Sequence, residues 1–147
     1  MFLEKIPGRV PLIPISVQAG FQSYLFDNPL EEITYIPCPL KYSQASIAFS
    51  VVGTSMEPYF LEGDILFSHE IFPENWQYLP IHPRDAYILH YGENYLVLKY
   101  LKRTKANSKL QLLSVNQREY PPHYISWQEI RNIWRVLGKE EKYGVWS

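Results

Sequence analysis

From Glu32 onward the sequence is a succession of short apolar segments, each about as long as a β-strand and each followed by turn residues. No long segment shows the 3.6-residue period of an amphipathic helix, and aromatic residues, which suit a pleated surface, make up 16% of the chain. The pattern therefore predicts a mostly β fold of short antiparallel strands. The segments that we assign to strands are 33–36, 45–52, 64–68, 86–90, 95–101, 109–115 and 133–138.

The remaining sequence supplies connections and an extended N-terminal arm. The stretches 91–94 and 105–108 have the composition of hairpin loops, and 72–83, rich in proline and aromatic residues, indicates a surface excursion. Helical signals amount to one or two short turns, the clearest being the capping pattern from Ser126 to Glu129. Residues 1–30 have no regular period and are interrupted by prolines, so we divide the chain into an extended arm, 1–30, and a domain, 31–147.

Composition excludes several classes of protein. Lys and Arg number 14 against 15 Asp and Glu, a balance that does not favour a dedicated nucleic-acid-binding chain. The single cysteine, Cys38, cannot form an internal disulfide, and the four scattered histidines lack the spacing of a metal site. There is no glycine-rich phosphate loop that would indicate a nucleotide cofactor, and no apolar run is long enough to span a membrane. We therefore expect a cytoplasmic protein with no metal and no cofactor.

A candidate nucleophile, Ser55, lies where an apolar segment ends in Gly53-Thr54-Ser55-Met56-Glu57-Pro58. At the junction of a strand and a turn, backbone N–H groups without a strand partner can bind a carbonyl oxygen beside the hydroxyl. The alternative is that Ser55 only caps the turn, a role that serine often has.

A serine nucleophile needs a base, and Lys99 is the candidate. The alternation of 95–101 places Lys99 on the face of Tyr95, Val97 and Leu101, where burial would favour the neutral amine. The alternative is a solvated face, in which Lys99 begins a basic run with Lys102.

Four motifs occur together in one order: Gly53-Thr54-Ser55-Met56-Glu57-Pro58, Gly63-Asp64, Val97-x-Lys99, and Leu113-Ser114-x-Asn116 with Tyr120-x-Pro122. In this order they resemble the LexA/UmuD family of self-cleaving serine-lysine peptidases, which includes the C-terminal domains of phage repressors. The resemblance covers about residues 10 to 138. It implies a LexA-like peptidase domain, and we expect its Leu-Ser-x-Asn motif to carry no chemistry.

The resemblance also assigns roles to residues. It implies that Ser55 is the nucleophile, that Lys99 is its general base, and that the backbone N–H groups of Thr54 and Ser55 form the oxyanion hole. The family cuts its own chain at an Ala-Gly or Cys-Gly bond, which here would be Ala19-Gly20. Small residues let the backbone approach Ser55 closely, and Val17 offers an apolar side chain to a pocket.

In a repressor, the family resemblance implies a homodimer that contacts DNA through a helix-turn-helix domain absent from this chain. The trigger of cleavage would be a recombinase filament in some members. One alternative is a dimerisation or sensing module that no longer cleaves, and another is a UmuD-like accessory to a polymerase. Signal peptidases share two of the motifs, but they need a membrane anchor that we do not find in this sequence.

Overall fold

The computed structural model describes residues 6–15, 33–93, 95–106 and 108–141. Within these ranges nine strands form one sheet in the order β2-β1-β3-β4-β9-β5-β6-β7-β8. Helical structure in the same ranges is limited to 3₁₀ turns at Leu40–Tyr42, Pro73–Tyr78 and Trp127–Glu129. The mostly β prediction is confirmed. The strands are β1 (Arg9–Pro14), β2 (Tyr35–Pro37), β3 (Ile47–Ser50), β4 (Ile65–Ile71), β5 (Ala86–Tyr91), β6 (Tyr95–Arg103), β7 (Lys109–Leu113), β8 (His123–Ser126) and β9 (Ile130–Glu140).

Two strands, β1 and β8, are absent from the sequence prediction. β1 lies inside the predicted arm, and it pairs with β3 in parallel, whereas every other ladder in the described sheet is antiparallel. Its first half, Arg9 to Pro11, pairs with β2, and its second half, Leu12 to Pro14, pairs with β3. Each half of β1 is therefore paired with one strand only. A strand paired in this way tolerates its two prolines, which have no backbone N–H to donate.

Alternate residues of the central strands enter two hydrophobic clusters, one on each face of the sheet. In β5, Ile88 packs in the first cluster, while Tyr87 and Leu89 pack in the second. In β6, Leu98 belongs to the first cluster and Leu101 to the second. Burial on both faces explains why these strands read as nearly continuous apolar runs.

The two irregular stretches of the prediction have defined structure. Residues 73–78 of the predicted excursion form a 3₁₀ turn, and the Arg103 guanidinium donates to the carbonyls of Trp76 and Leu79, both at 2.8 Å. At the predicted helical turn, the Glu129 carboxylate accepts the N–H of Ser126 at 2.7 Å. In the described ranges no helix has the length and apolarity needed to cross a bilayer.

Candidate functional site

Ser55 lies on a turn between β3 and β4 that the backbone closes on itself. Gly53 begins it with φ +89°, a left-handed conformation that side chains disfavour. The N–H of Gly63 donates to the carbonyl of Val51 at 2.9 Å, and the N–H of Phe60 donates to the carbonyl of Met56 at 3.0 Å. The apolar strand, the glycine and the turn thus present Ser55 at the end of β3, as the sequence predicts.

A buried carboxylate, Asp64, fixes the far side of this turn. It accepts the N–H of Leu61 at 2.9 Å and lies 3.6 Å from the ammonium of Lys139 on β9. Lys139 also donates to the carbonyl of Tyr59 at 2.7 Å. The Gly-Asp motif therefore has a structural role, which is to attach the turn that carries Ser55 to the sheet.

The segment that follows β7 holds the near side of the turn. The N–H of Asn116 donates to the carbonyl of Ser55 at 3.1 Å, and the hydroxyls of Thr54 and Tyr120 share a hydrogen bond of 3.0 Å. The turn is therefore attached on both sides, and the position of Ser55 relative to the sheet is fixed by hydrogen bonds rather than by apolar packing alone.

The backbone N–H groups of Thr54 and Ser55 make no hydrogen bond within the described part of the chain, nor does the hydroxyl of Ser55. The capping alternative for Ser55 requires that hydroxyl to accept from the turn, so it gains no support. Two N–H groups at a strand-to-turn junction are free to bind the oxygen of a substrate carbonyl.

Lys99 lies in the middle of β6 and is half-buried. Its Nζ donates to Ser114 Oγ at 2.6 Å and lies 5.6 Å from the centre of the Tyr120 ring. Burial lowers the pKa of the Lys99 amine from its ordinary value of 10.5. The solvated-face alternative for Lys99 therefore does not fit the structure.

Ser55 and Lys99 line one cavity of about 220 Å³. Its walls are mostly apolar, and Tyr120 and Ile15 also contribute to them. Ile15 is the last residue that the structure describes before residue 33. No hydrogen bond joins the side chains of Ser55 and Lys99 in the residues that the structure describes. The structure thus brings the two predicted residues to the same cavity, without a hydrogen bond between their side chains in the described part of the chain. The other apolar lining residues are Val51, Val52, Met56, Leu96, Val97 and Leu98.

Three residues of the predicted site, Val17, Ala19 and Gly20, lie outside the described residues. The described ranges contain no group of three or more His, Cys, Asp or Glu able to hold a metal ion.

Sequence reasoning missed one contact residue, Ser114, because it assigned no chemistry to the Leu-Ser-x-Asn motif. A signal for it existed in the predicted hairpin loop at 105–108. Pairing outward from the centre of that loop sets Lys99 opposite Ser114, and the observed register, in which Tyr100 faces Leu113, agrees.

Comparison with known proteins gives one family. A profile of the family described as Peptidase S24-like matches residues 11–139, which is most of the chain. No curated protein matches the chain. The matched range contains the turn of Ser55, the strand of Lys99 and the segment of Ser114.

Proposed function

Because this chain belongs to the Peptidase S24-like family, we propose that it is a LexA-like serine peptidase that cuts its own chain between Ala19 and Gly20. The observation that carries the proposal is the shared cavity, which Ser55, the desolvated Lys99 and Ile15 all line. Ala19 follows Ile15 by four residues, which in an extended chain reach about 14 Å at most. A bond at Ala19-Gly20 would therefore be close enough along the chain to reach the cavity that Ser55 lines.

In the proposed reaction, the neutral Lys99 amine takes the proton of the Ser55 hydroxyl as Oγ attacks the carbonyl carbon of Ala19. The N–H groups of Thr54 and Ser55 stabilise the resulting oxyanion. When the intermediate collapses, the C–N bond breaks and the Lys99 ammonium gives its proton to the nitrogen of Gly20. This leaves Ala19 esterified to Ser55.

Water completes the cycle. Lys99 removes a proton from a water molecule, the hydroxide attacks the ester carbon, and Ser55 leaves with the proton that Lys99 returns. The products are a chain that ends in the carboxylate of Ala19 and a chain that begins with the amine of Gly20.

The test is intact-mass spectrometry of the purified chain over hours, from pH 7 to about pH 10. We expect a fragment that begins at Gly20, with a rate that rises with pH because the reaction needs Lys99 uncharged, and that levels off above the lowered pKa of Lys99. Ser55→Ala and Lys99→Ala should each abolish the fragment. A matched control is Lys102→Ala, an exposed lysine on the same strand, which should cleave like the wild type. Cleavage that persists in either dyad variant would refute the assignment.

A second candidate is a dimerisation or sensing module that does not cleave. The absence of a hydrogen bond between Ser55 and Lys99 in the described structure favours it. It predicts no fragment at any pH together with a mass in solution that increases with protein concentration.

The biological setting that we propose is a transcriptional switch. In a repressor, this domain would hold two copies together as a dimer, and a helix-turn-helix domain outside this chain would contact the DNA. Cleavage would then separate dimerisation from DNA binding. A recombinase filament is the proposed trigger. A UmuD-like accessory to a polymerase would use the same cleavage for a different partner.

A further inference from the structure

Ser114, the residue directly after β7, meets Lys99 of the neighbouring strand β6. The β6–β7 ladder pairs Leu101 with Leu112 and Tyr100 with Leu113, so the next position sets Ser114 opposite Lys99 on the same face. Ser114 is 3% exposed, and its Oγ lies 2.6 Å from the Lys99 nitrogen. A buried serine in this contact is placed by the register of the sheet and not by a flexible loop.

We infer that Ser114 is a positioning residue for Lys99, which accepts one N–H of the amine and so fixes where its lone pair points. The inference rests on the proposed function, because it names a residue that acts through the proposed base. Lysine ends in a flexible four-carbon stem, and a base is effective only within hydrogen-bond reach of the proton that it takes. An anchor on one N–H leaves the lone pair of the neutral amine available to the cavity that holds Ser55.

A second cavity makes this anchor necessary. About 340 Å³ of open volume lies on the Ser114 side of Lys99, and both residues line it. Without an acceptor there, the amine has space to rotate away from the cavity that contains Ser55. Four other titratable side chains line the second cavity with Lys99, namely Tyr91, Glu119, Tyr120 and His123.

The same segment also attaches the nucleophile. Ser114, Asn116 and Tyr120 contact the Lys99 amine, the Ser55 carbonyl and the Thr54 hydroxyl respectively. The base and the nucleophile come from distant parts of the chain, yet both are held by one stretch of seven residues, 114–120. The Leu-Ser-x-Asn motif is therefore the part of the fold that sets their separation.

The test compares Ser114→Ala with a matched control, Ser68→Ala. Ser68 is also a buried serine, its Oγ donates to the carbonyl of Leu66 at 3.2 Å, and it lines neither cavity. We expect Ser114→Ala to lower the plateau rate of self-cleavage by about 10- to 100-fold, since a misplacement of about 1 Å has an effect of that size. Ser68→Ala should cleave at the wild-type rate, and thermal unfolding confirms that both variants fold.

The pKa of Lys99 separates positioning from a structural role. This pKa is measured by NMR from the pH dependence of the ¹³Cε signal of Lys99. The signal is assigned by its loss in Lys99→Met, and all samples carry Ser55→Ala so that the chain stays uncut. The Ser114 hydroxyl stabilises the ammonium by accepting a hydrogen bond from it, so removing the hydroxyl should lower the pKa of Lys99 further while the rate falls. A pKa that returns towards the ordinary 10.5 would show that the variant merely admits solvent, and it would overturn the inference.

Ser114→Thr supplies the rescue. It keeps an acceptor hydroxyl, and the second cavity has room for the added methyl group. We expect it to recover most of the rate and the pKa of Lys99, and a threonine variant as slow as the alanine variant would contradict the inference.

The two proposals fail in different ways. If the wild type never cleaves but Ser114→Ala lowers the pKa of Lys99, the proposed function fails and the anchoring contact stands. If the wild type cleaves and Ser114→Ala cleaves equally fast, the proposed function stands and the inference about Ser114 is wrong.

Discussion

At the scale of single residues, the unusual feature is a half-buried lysine amine in a mostly apolar cavity. Lys99 has a serine hydroxyl and an aromatic ring for neighbours, and within the described structure it makes no ion pair. An ammonium in such surroundings is less stable than in water, which is why burial lowers its pKa. Burying this amine therefore costs folding free energy at neutral pH, where the group is charged in the unfolded chain.

This cost predicts the pH dependence of stability. In the unfolded chain the amine keeps its ordinary pKa of 10.5, whereas the folded protein has a lower one. Between these two values the unfolded chain binds the extra proton, so the contribution of Lys99 to the free energy of unfolding rises with pH across that window. Lys99→Met, which removes the charge and keeps an unbranched side chain one atom shorter, should stabilise the protein at neutral pH, and the gain should disappear as pH approaches 10.5.

The measurement is urea unfolding at several pH values, with Lys102→Met as the control. Lys102 is exposed on the same strand, so its replacement controls for the loss of a lysine side chain that is not buried. A gain from Lys99→Met that does not depend on pH would contradict the burial of a charge at this position.

The sequence pointed to Ser55 and Lys99 as candidates but not to the contact between Lys99 and Ser114. Ser55 and Lys99 were found from local patterns, because a strand-to-turn junction and a period of two are visible within a few residues. The role of Ser114 depends on the pairing register of β6 and β7. A register is a non-local property, and a slip of one residue would turn Ser114 to the other face.

At the scale of elements, the turn between β3 and β4 is attached to the sheet by the buried carboxylate of Asp64. Asp64 is 2% exposed, and its carboxylate receives both a backbone N–H and the Lys139 ammonium. The side chain of Lys139, near the C-terminal end of β9, thus connects this strand to the turn of Ser55.

Asp64→Asn keeps the shape of the side chain and removes its charge. We expect it to destabilise the protein by about 2–3 kcal/mol, because hydrogen bonds to a buried charged group are among the stronger ones. Self-cleavage should slow as well, since the turn that carries Ser55 loosens. Denaturant unfolding and the mass assay measure the two effects, and the exposed Glu74→Gln is the control.

A double-mutant cycle tests whether Lys139 is the partner through which Asp64 acts. If Lys139→Met and Asp64→Asn together cost less than the sum of their separate effects, the ion pair couples the turn to β9. Additive effects would mean that Asp64 acts through the Leu61 N–H alone.

The sequence predicted the strands whose residues form alternating or continuous apolar runs. It missed the strands that lack such a pattern. β8 is short and begins with two exposed residues, His123 and Tyr124, so little in its composition distinguishes it from a loop. β1 contains Pro11 and Pro14, which are usually read as breakers. Its membership in the sheet comes from the buried Val10 and Ile13, and only the folded neighbours show that.

At the scale of the whole molecule, the proposed cleavage site divides the sheet itself. β1 precedes Ala19 in the chain, whereas its partners β2 and β3 follow Gly20. Val10, Ile13 and Ile15, all buried, would belong to the N-terminal product, and each contributes about 1.5–3 kcal/mol through burial.

We therefore expect the two products to remain together after cleavage. Native mass spectrometry should find one particle whose mass exceeds that of the uncut chain by one water molecule, and denaturing conditions should separate fragments 1–19 and 20–147. Ile13→Ala should weaken the retention, because Ile13 is fully buried. Free fragment 1–19 under native conditions would contradict the role of β1 in the product.

The two described ends of the unassigned segment meet at the sheet, where the N–H of Leu12 donates to the carbonyl of Thr34 at 2.8 Å. The chain from 16 to 32 therefore joins two points of the sheet that lie close together, one of which, Ile15, lines the cavity. A peptide held in the same chain as its binding site has a local concentration in the millimolar range. Under the proposed function, dilution leaves the half-life of the chain unchanged, and a foreign peptide must reach a comparable concentration before it competes. If the proposed function holds, each molecule cleaves once, and the time to cleavage depends on the rate constant of the chain itself and not on its concentration.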